Sequence, residues 1–376
     1  MKVKKNVETG HRLVRRAGPM MLALWATAAH AQVTPAAGTT PPDDTPSIKV
    51  GVVIYTDYTY TDEPTTADAD KNTIHPSAFN VSRAYINVTG NLSHLVAFRV
   101  TPDITRETGT GSSLNGSLTF RLKYAFGQVN FDDFLTHGSW ARVGVQQTPY
   151  VDYMEGIYRY RFQGTIFEER EGFLSSSDFG VSAHYNFPGN YGDLHMGVYN
   201  GDTYTKADPN DQKAFQIRGT LRPFPLGGNL KGLRLTAFYD ADHYIKDGPR
   251  NRFIGNATFE HKYVNAGVDY FDAKDRTSVS VAEVHSSGWG AWATPKFLVL
   301  QESKSGIEGL VRYDRLKPNK DVDARRKRLI VGVAYWFPLL RGPSAALLVD
   351  MDRQTFDTAL KQPNQRRYSL HALFNF

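Results

Sequence analysis

From Ser47 to Phe376 the chain is a succession of stretches, about ten residues each, in which apolar and polar side chains alternate. A period of two belongs to extended backbone, because successive Cβ atoms point to opposite faces, whereas a helix would mix the two sets. In the clearest stretch Leu118, Phe120, Leu122, Tyr124 and Phe126 fall on one face and Thr119, Arg121, Lys123 and Ala125 on the other. The last stretch repeats the pattern. Tyr368, Leu370, Ala372, Phe374 and Phe376 share a face opposite Arg367, Ser369, His371 and Asn375, with Leu373 as the exception. Similar alternation runs through residues 48–60, 83–89, 96–102, 179–186, 215–222, 253–262 and 329–337.

About sixteen such strands are expected, an even number that suits a single-chain barrel. A tilted strand needs about 9–11 residues to cross the hydrocarbon layer, and closure is obligatory there, since an open sheet edge would leave backbone groups unpaired in lipid. The reading is therefore an all-β, transmembrane antiparallel β-barrel. A soluble all-β sandwich also alternates, and solubility without detergent separates the two. The connections support the barrel by alternating long (62–78, 104–116, 148–176) and short (90–94, 187–193), as outer loops and periplasmic turns do.

The first 31 residues read as a secretory signal peptide. Lys2, Lys4, Lys5, Arg12, Arg15 and Arg16 precede the short apolar run Met20 to Ala29, and Ala29-His30-Ala31 supplies a small-x-small cleavage site. Residues 32–46 are Pro/Thr/Ala-rich and read as a flexible lead-in, leaving 47–376 as the barrel. The signal holds six bases and one acid, so the formal charge of +6 falls to +1 in the mature chain, and no nucleic-acid partner is implied. The absence of cysteine removes disulfides and thiolate chemistry.

Motifs for catalysis are missing. There is no Gly-x-Ser-x-Gly elbow and no His-Glu-x-x-His pair, and the eleven histidines are scattered. The glycine-rich run Gly109 to Gly116 lacks the Gly-Lys-Ser/Thr ending of a phosphate loop and reads as a plain loop. No catalytic residue, metal ligand or cofactor is assigned.

Several short segments resemble the phosphate-selective porin O and P family. Phe79-Asn80-Val81-Ser82-Arg83-Ala84-Tyr85 followed by Gly90 is similar to that family's early strand, and Val143-Gly144-Val145-Gln146-Gln147-Thr148-Pro149-Tyr150 to its strand-to-loop junction. Phe167-Glu168-Glu169-Arg170, Gly197-Val198-Tyr199-Asn200-Gly201 and the terminal Phe376 also fit. The resemblance implies a sixteen-stranded, trimeric outer-membrane porin whose long third loop folds inward.

With the aromatic face toward lipid, Arg83, Arg99, Arg121, Lys123, Arg142, Arg218 and Arg222 are expected to line the lumen, with the acids Asp103, Glu260, Asp269 and Glu308. Most of the bases come from the first half of the barrel, so one wall should be cationic. In the long loop 148–176, Tyr158, Arg159, Tyr160 and Arg161 occupy one limb, and Glu168, Glu169, Arg170 and Glu171 the other. Folded inward, the two limbs would set up a transverse field in the constriction; left outside, they would form a solvated surface loop. Arg325-Arg326-Lys327-Arg328 falls on the outer side by loop parity, facing lipopolysaccharide phosphates or simply solvent. The expected function is passive diffusion of small hydrophilic solutes through the bacterial outer membrane, with anions such as phosphate favoured. An outer-membrane hydrolase and a non-conducting structural barrel are the alternatives. Expected partners are membrane lipid, small anionic solutes, two further copies of the chain, and the outer-membrane assembly machinery acting on the C-terminal strand.

Overall fold

The computed structural model describes residues 44–298, 306–339 and 344–376. The expected signal peptide (1–31) and all of the lead-in except 44–46 lie outside the described residues.

Sixteen long strands run through them: β1 (Ser47–Glu63), β2 (Ser77–Asn91), β3 (Val96–Arg106), β4 (Leu118–Asn130), β5 (Trp140–Gln147), β6 (Ser177–Asn186), β7 (Gly192–Tyr199) and β8 (Ala214–Leu221). The second half holds β9 (Leu233–Ala241), β10 (Gly248–Glu260), β11 (Val264–Asp275), β12 (Val284–Pro295), β13 (Gly306–Lys317), β14 (Arg326–Trp336), β15 (Ser344–Phe356) and β16 (Gln365–Asn375). Each pairs antiparallel with the next, and β1 also pairs with β16 from Val53 opposite Asn375 to Glu63 opposite Arg366. The sheet is therefore closed. Phe376 finishes the seam, with its N–H donating to the Val52 carbonyl and the Val52 N–H donating to its own carbonyl, both at 2.9 Å. No helix among the described residues is long and apolar enough to cross a membrane.

Side chains follow the expected two-sided pattern. Phe120, Val143, Val181, Val333, Val349 and Phe374 stand exposed on the outer wall, while Arg142, Gln216, Asp269, Arg312 and Asp350 are buried inside. One stretch departs from it. Between β3 and β4 the register shifts so that Thr101 faces Tyr124 and Pro102 faces Leu122, leaving Lys123 as an extra residue. This β-bulge re-aims everything after it, because a one-residue slip exchanges the two faces. Tyr124 and Phe126, expected on the lipid face with Leu118, Phe120 and Leu122, instead pack with Ala97 inside the barrel.

The interior is not uniformly polar. Phe238, Ile254, Phe271, Trp292, Leu310, Ile330, Trp336, Leu348 and Leu373 point inward from β9 to β16 and form one apolar cluster with the loop that follows β5. Leu373, the exception in the terminal alternation, belongs to this cluster and so keeps to the inner face.

Candidate functional site

The connection between β5 and β6 starts with helix α1 (Pro149–Ile157) and contains the single turn α2 (Phe167–Arg170). Pro149 opens α1 at a position where its fixed φ is already helical and its missing N–H costs nothing. The helix buries Tyr150, Val151, Tyr153, Met154 and Ile157 on a broad apolar face, with Asp152 and Glu155 on the remaining side. An apolar face that broad needs cover. It finds that cover inside the barrel, so the loop does fold into the lumen.

Wall residues anchor it along its length. The Arg218 Nε donates to the Pro149 carbonyl at 3.0 Å, the Tyr150 hydroxyl to Asp269 at 3.1 Å, and the Tyr153 hydroxyl lies 3.2 Å from that of Thr258. At the tip, Glu308 accepts hydrogen bonds from the Arg159 Nη2 at 2.6 Å and from the Tyr160 hydroxyl at 3.0 Å, while the Trp336 Nε1 donates to Tyr160 at 3.2 Å. On the returning limb Arg312 donates to the Thr165 carbonyl at 2.7 Å and Arg326 pairs with Glu171 at 2.7 Å. Edge-on ring contacts fill the space between these bonds, among them Tyr158 on Trp292, Phe162 on Trp336 and Phe167 on Phe271. Burying such a side chain is worth roughly 1.5–3 kcal/mol. Burial first, and the Glu308 carboxylate second, hold the Tyr160 phenol above its ordinary pKa, so it stays a donor.

The transverse field expected from the loop does not form as drawn. Arg161 pairs with Glu155 and, at 3.5 Å, with Glu169, which joins the basic and acidic limbs to each other. Arg159 is taken up by Glu308, Arg170 donates to Gln163 at 2.9 Å, and Tyr158 packs on Trp292. Glu168 is buried; desolvation, with Asp269 as the second cause, lifts its carboxyl well above the usual range. The charges of the limbs are thus matched partly with each other, through Arg161 and Glu169, and partly by the wall, through Glu308 and Arg326, as a loop packed as a core requires.

All seven expected basic residues sit on the inner side or at its rim, in three different situations. Arg83 pairs with Asp103, Arg121 with Glu107 at 2.9 Å, and Arg218 with Asp193. Arg222 lies just past β8, where it bonds Asn190 in a periplasmic turn and closes the rim. Arg99, Lys123 and Arg142 meet no carboxylate within ion-pair distance among the described residues. Arg99 donates to Asn87 at 2.7 Å, Arg142 to Gln128 at 2.8 Å, and Lys123 lies 3.5 Å from the Tyr85 hydroxyl. Each also stacks on a ring: Arg99 on Tyr124 at 4.5 Å, Lys123 on Tyr85 at 4.9 Å, and Arg142 on Trp140 at 3.5 Å. The β4 bulge makes the first of these stacks possible by turning Tyr124 inward. Of the acids, Glu260 pairs with Arg234, while Asp269 and Glu308 serve the loop.

The outer basic cluster is internally matched. Arg325 pairs with Asp323 at 2.7 Å, Arg326 with Glu171, Lys327 with Asp357 at 3.7 Å and Arg328 with Asp352 at 2.8 Å. Sequence reasoning missed the apolar inner wall and the anchors Arg312, Trp336 and Arg252, whose Nε donates to the Phe173 carbonyl at 3.2 Å. The signal for it was present in Leu329-Ile330-Val331-Gly332-Val333-Ala334-Tyr335-Trp336, a strand apolar on both faces, which a water-lined wall does not need.

No family model and no curated protein matches the chain. Solved structures do match it in fold. A loop L8 deletion mutant of OmpT, an outer membrane protein of Vibrio cholerae, superposes with TM-score 0.59 at 13% identity, over 89% of this chain and 100% of that one. An anion-selective porin from Comamonas acidovorans gives 0.58 at 11%, over 88% and 100%. OmpF of Salmonella typhi, in complex with daunomycin, gives 0.60 at 11%, over 89% and 98%. The chain is thus built as a bacterial outer-membrane barrel with the porin fold.

Proposed function

We propose that the chain is a passive porin for small hydrophilic solutes with a preference for anions. The observation that carries the preference is the group Arg99, Lys123 and Arg142 on three neighbouring strands, lumenal cations without ion-pair partners among the described residues. Lumenal charge of one sign raises the local concentration of the opposite ion. Guanidinium groups also match phosphate and carboxylate through paired donors, which keeps phosphate within the solute class. The exposed apolar outer wall suits lipid and a homotrimer, and the alternating terminal strand ending on Phe376 suits recognition by the outer-membrane assembly machinery.

Planar-bilayer recording of the reconstituted chain tests the reading: stepwise conductance with a reversal potential favouring anions is expected. Arg99→Gln with Lys123→Gln should move that potential toward zero. Cation preference in the parent would defeat the anion reading. A second reading, the plugged barrel, is favoured by the depth of the loop packing, with Tyr150 and Val151 fully buried; it requires no conductance at all. A hydrolase would instead reveal itself by cleavage of lipid or peptide by the purified barrel.

A further inference from the structure

Among the described residues, a cavity of about 390 Å³ lies at the outer end of the barrel against β1, β2, β15 and β16, and Gln163 near the loop tip reaches its edge. Its size is that of a site for one small solute. Strand register accounts for its lining: across the closing seam Thr59 faces Ser369 and Thr61 faces Arg367.

The lining has a definite hydrogen-bonding character. Thr59 donates to Asp57 at 2.9 Å and sits 2.9 Å from the Ser369 hydroxyl, and the Asn80 amide N–H donates to the same Asp57 oxygen at 3.2 Å. With those protons committed, the amide oxygen of Asn80 and the lone pairs of the hydroxyls remain as acceptors. Asp352 also lines the cavity, but Arg328 holds it at 2.8 Å. Arg367 differs from every other charge there. Its Nη2 donates to Gln365 at 3.2 Å, and no carboxylate lies within ion-pair distance of it among the described residues. The cavity therefore combines one unpaired planar cation with a set of neutral acceptors.

We propose that this cavity is a binding subsite for a polyhydroxylated carboxylate, an inference that rests on the porin reading above. The carboxylate would take the Arg367 fork, which matches its two oxygens, and the hydroxyls would donate to Asn80, Thr59 and Ser369. Inorganic phosphate can take the cation but has no hydroxylated chain to reach the neutral groups along the seam, and a neutral sugar leaves that cation unused.

The test uses the full chain in planar bilayers, with gluconate, acetate, phosphate or glucose added on the loop side and the half-blocking concentration of the chloride current read. Gluconate should block at a concentration at least about tenfold below glucose, the ratio that one good charged contact of about 1.4 kcal/mol supplies, and also below acetate and phosphate, which do not reach the hydroxyl-facing groups. Arg367→Gln should abolish the advantage over glucose. Arg367→Lys, which keeps the charge and loses the fork, should fall between, and it replaces the glutamine variant if that one fails to insert. An advantage over glucose that survives undiminished in the substituted barrel, or gluconate block matched in the parent by glucose or phosphate, overturns the proposal. If the parent prefers cations, the porin selectivity fails and the subsite with it; if the parent prefers anions and Arg367→Gln changes nothing, only the subsite fails.

Discussion

Removing the Glu308 carboxylate should unfasten the tip of the lumenal loop and leave the barrel closed. Glu308→Ala deletes the acceptor for two hydrogen bonds, from Arg159 at 2.6 Å and from Tyr160 at 3.0 Å. Hydrogen bonds to a charged group are worth roughly 1.5–3 kcal/mol each, and a shared acceptor makes the pair less than additive, so about 3 kcal/mol is the loss to work with. Other contacts remain at the tip, among them the stack of Arg159 on Trp336 at 4.4 Å, the bond from Trp336 to Tyr160 and the edge-on contact of Phe162 with Trp336. The limbs also stay fastened, through Tyr150 to Asp269 and Glu171 to Arg326. The change is therefore local. A loss of about 3 kcal/mol raises the population of the undocked tip on the order of a hundredfold. Trypsin reads that population directly, because cleavage at Arg159 and Arg161 requires the tip to leave the wall and tracks the open fraction when reclosing is fast. Cleavage of the variant in micelles should accelerate accordingly, with Glu308→Gln in between, since it keeps a neutral acceptor. Heat-modifiable electrophoretic migration should remain that of the parent. Unchanged cleavage in Glu308→Ala would refute the reasoning that this carboxylate holds the tip.

Three further outcomes are expected. Gly144 has φ of +123°, and a Cβ there would run into the Ala125 carbonyl across the β4–β5 ladder, so Gly144→Ala should destabilise the barrel by roughly 1–3 kcal/mol, seen as a lower urea midpoint in micelles. Deleting Phe376 removes both backbone bonds to Val52 and should lower the yield of inserted barrel more than the conductance of each pore; normal insertion would count against the seam as the point of closure. The His94 ring joins Asp44 at 2.6 Å to Asp133 at 2.9 Å, and these hydrogen bonds, Asp44 first, raise its pKa above 6.5. A raised histidine stabilises the docked form fully below its unfolded pKa and ceases to do so as pH climbs through the folded value. Protease access to the segment at Asp44 should accordingly rise with pH and become pH-independent in His94→Gln; the same pH profile in both proteins would rule out this latch.

The barrel was legible because its signal is repetitive. Alternation, the long and short connections and the terminal Phe376 all report one period, and closure in lipid follows from backbone chemistry. The placement of the loop was legible only through resemblance, because the residues of 148–176 permit both a solvated and an inward course. What decides between them sits far away in sequence, in Trp292, Glu308 and Trp336, and single-chain periodicity carries no information about which distant wall a loop will meet. The bulge at Lys123 was hidden for a different reason. Leu118 to Phe126 alternates without a flaw, and the shift shows only in the pairing with the partner strand at Thr101 and Pro102. Charge pairing was equally out of reach, since Arg121 with Glu107 and Arg161 with Glu169 depend on geometry rather than spacing.

The apolar cluster beneath the loop divides the inner surface into two regimes of mutational tolerance. Inward positions on β10 to β16 behave like the interior of a soluble protein, where losing a large side chain leaves a void costing several kcal/mol. Inward positions near the β1–β16 seam, such as Thr59, Thr61 and Arg367, border open space and lose only solvated contacts when changed. Such a barrel can diversify the solutes it admits by drifting along one side of its wall, while the opposite side stays under constraint to keep the loop in place.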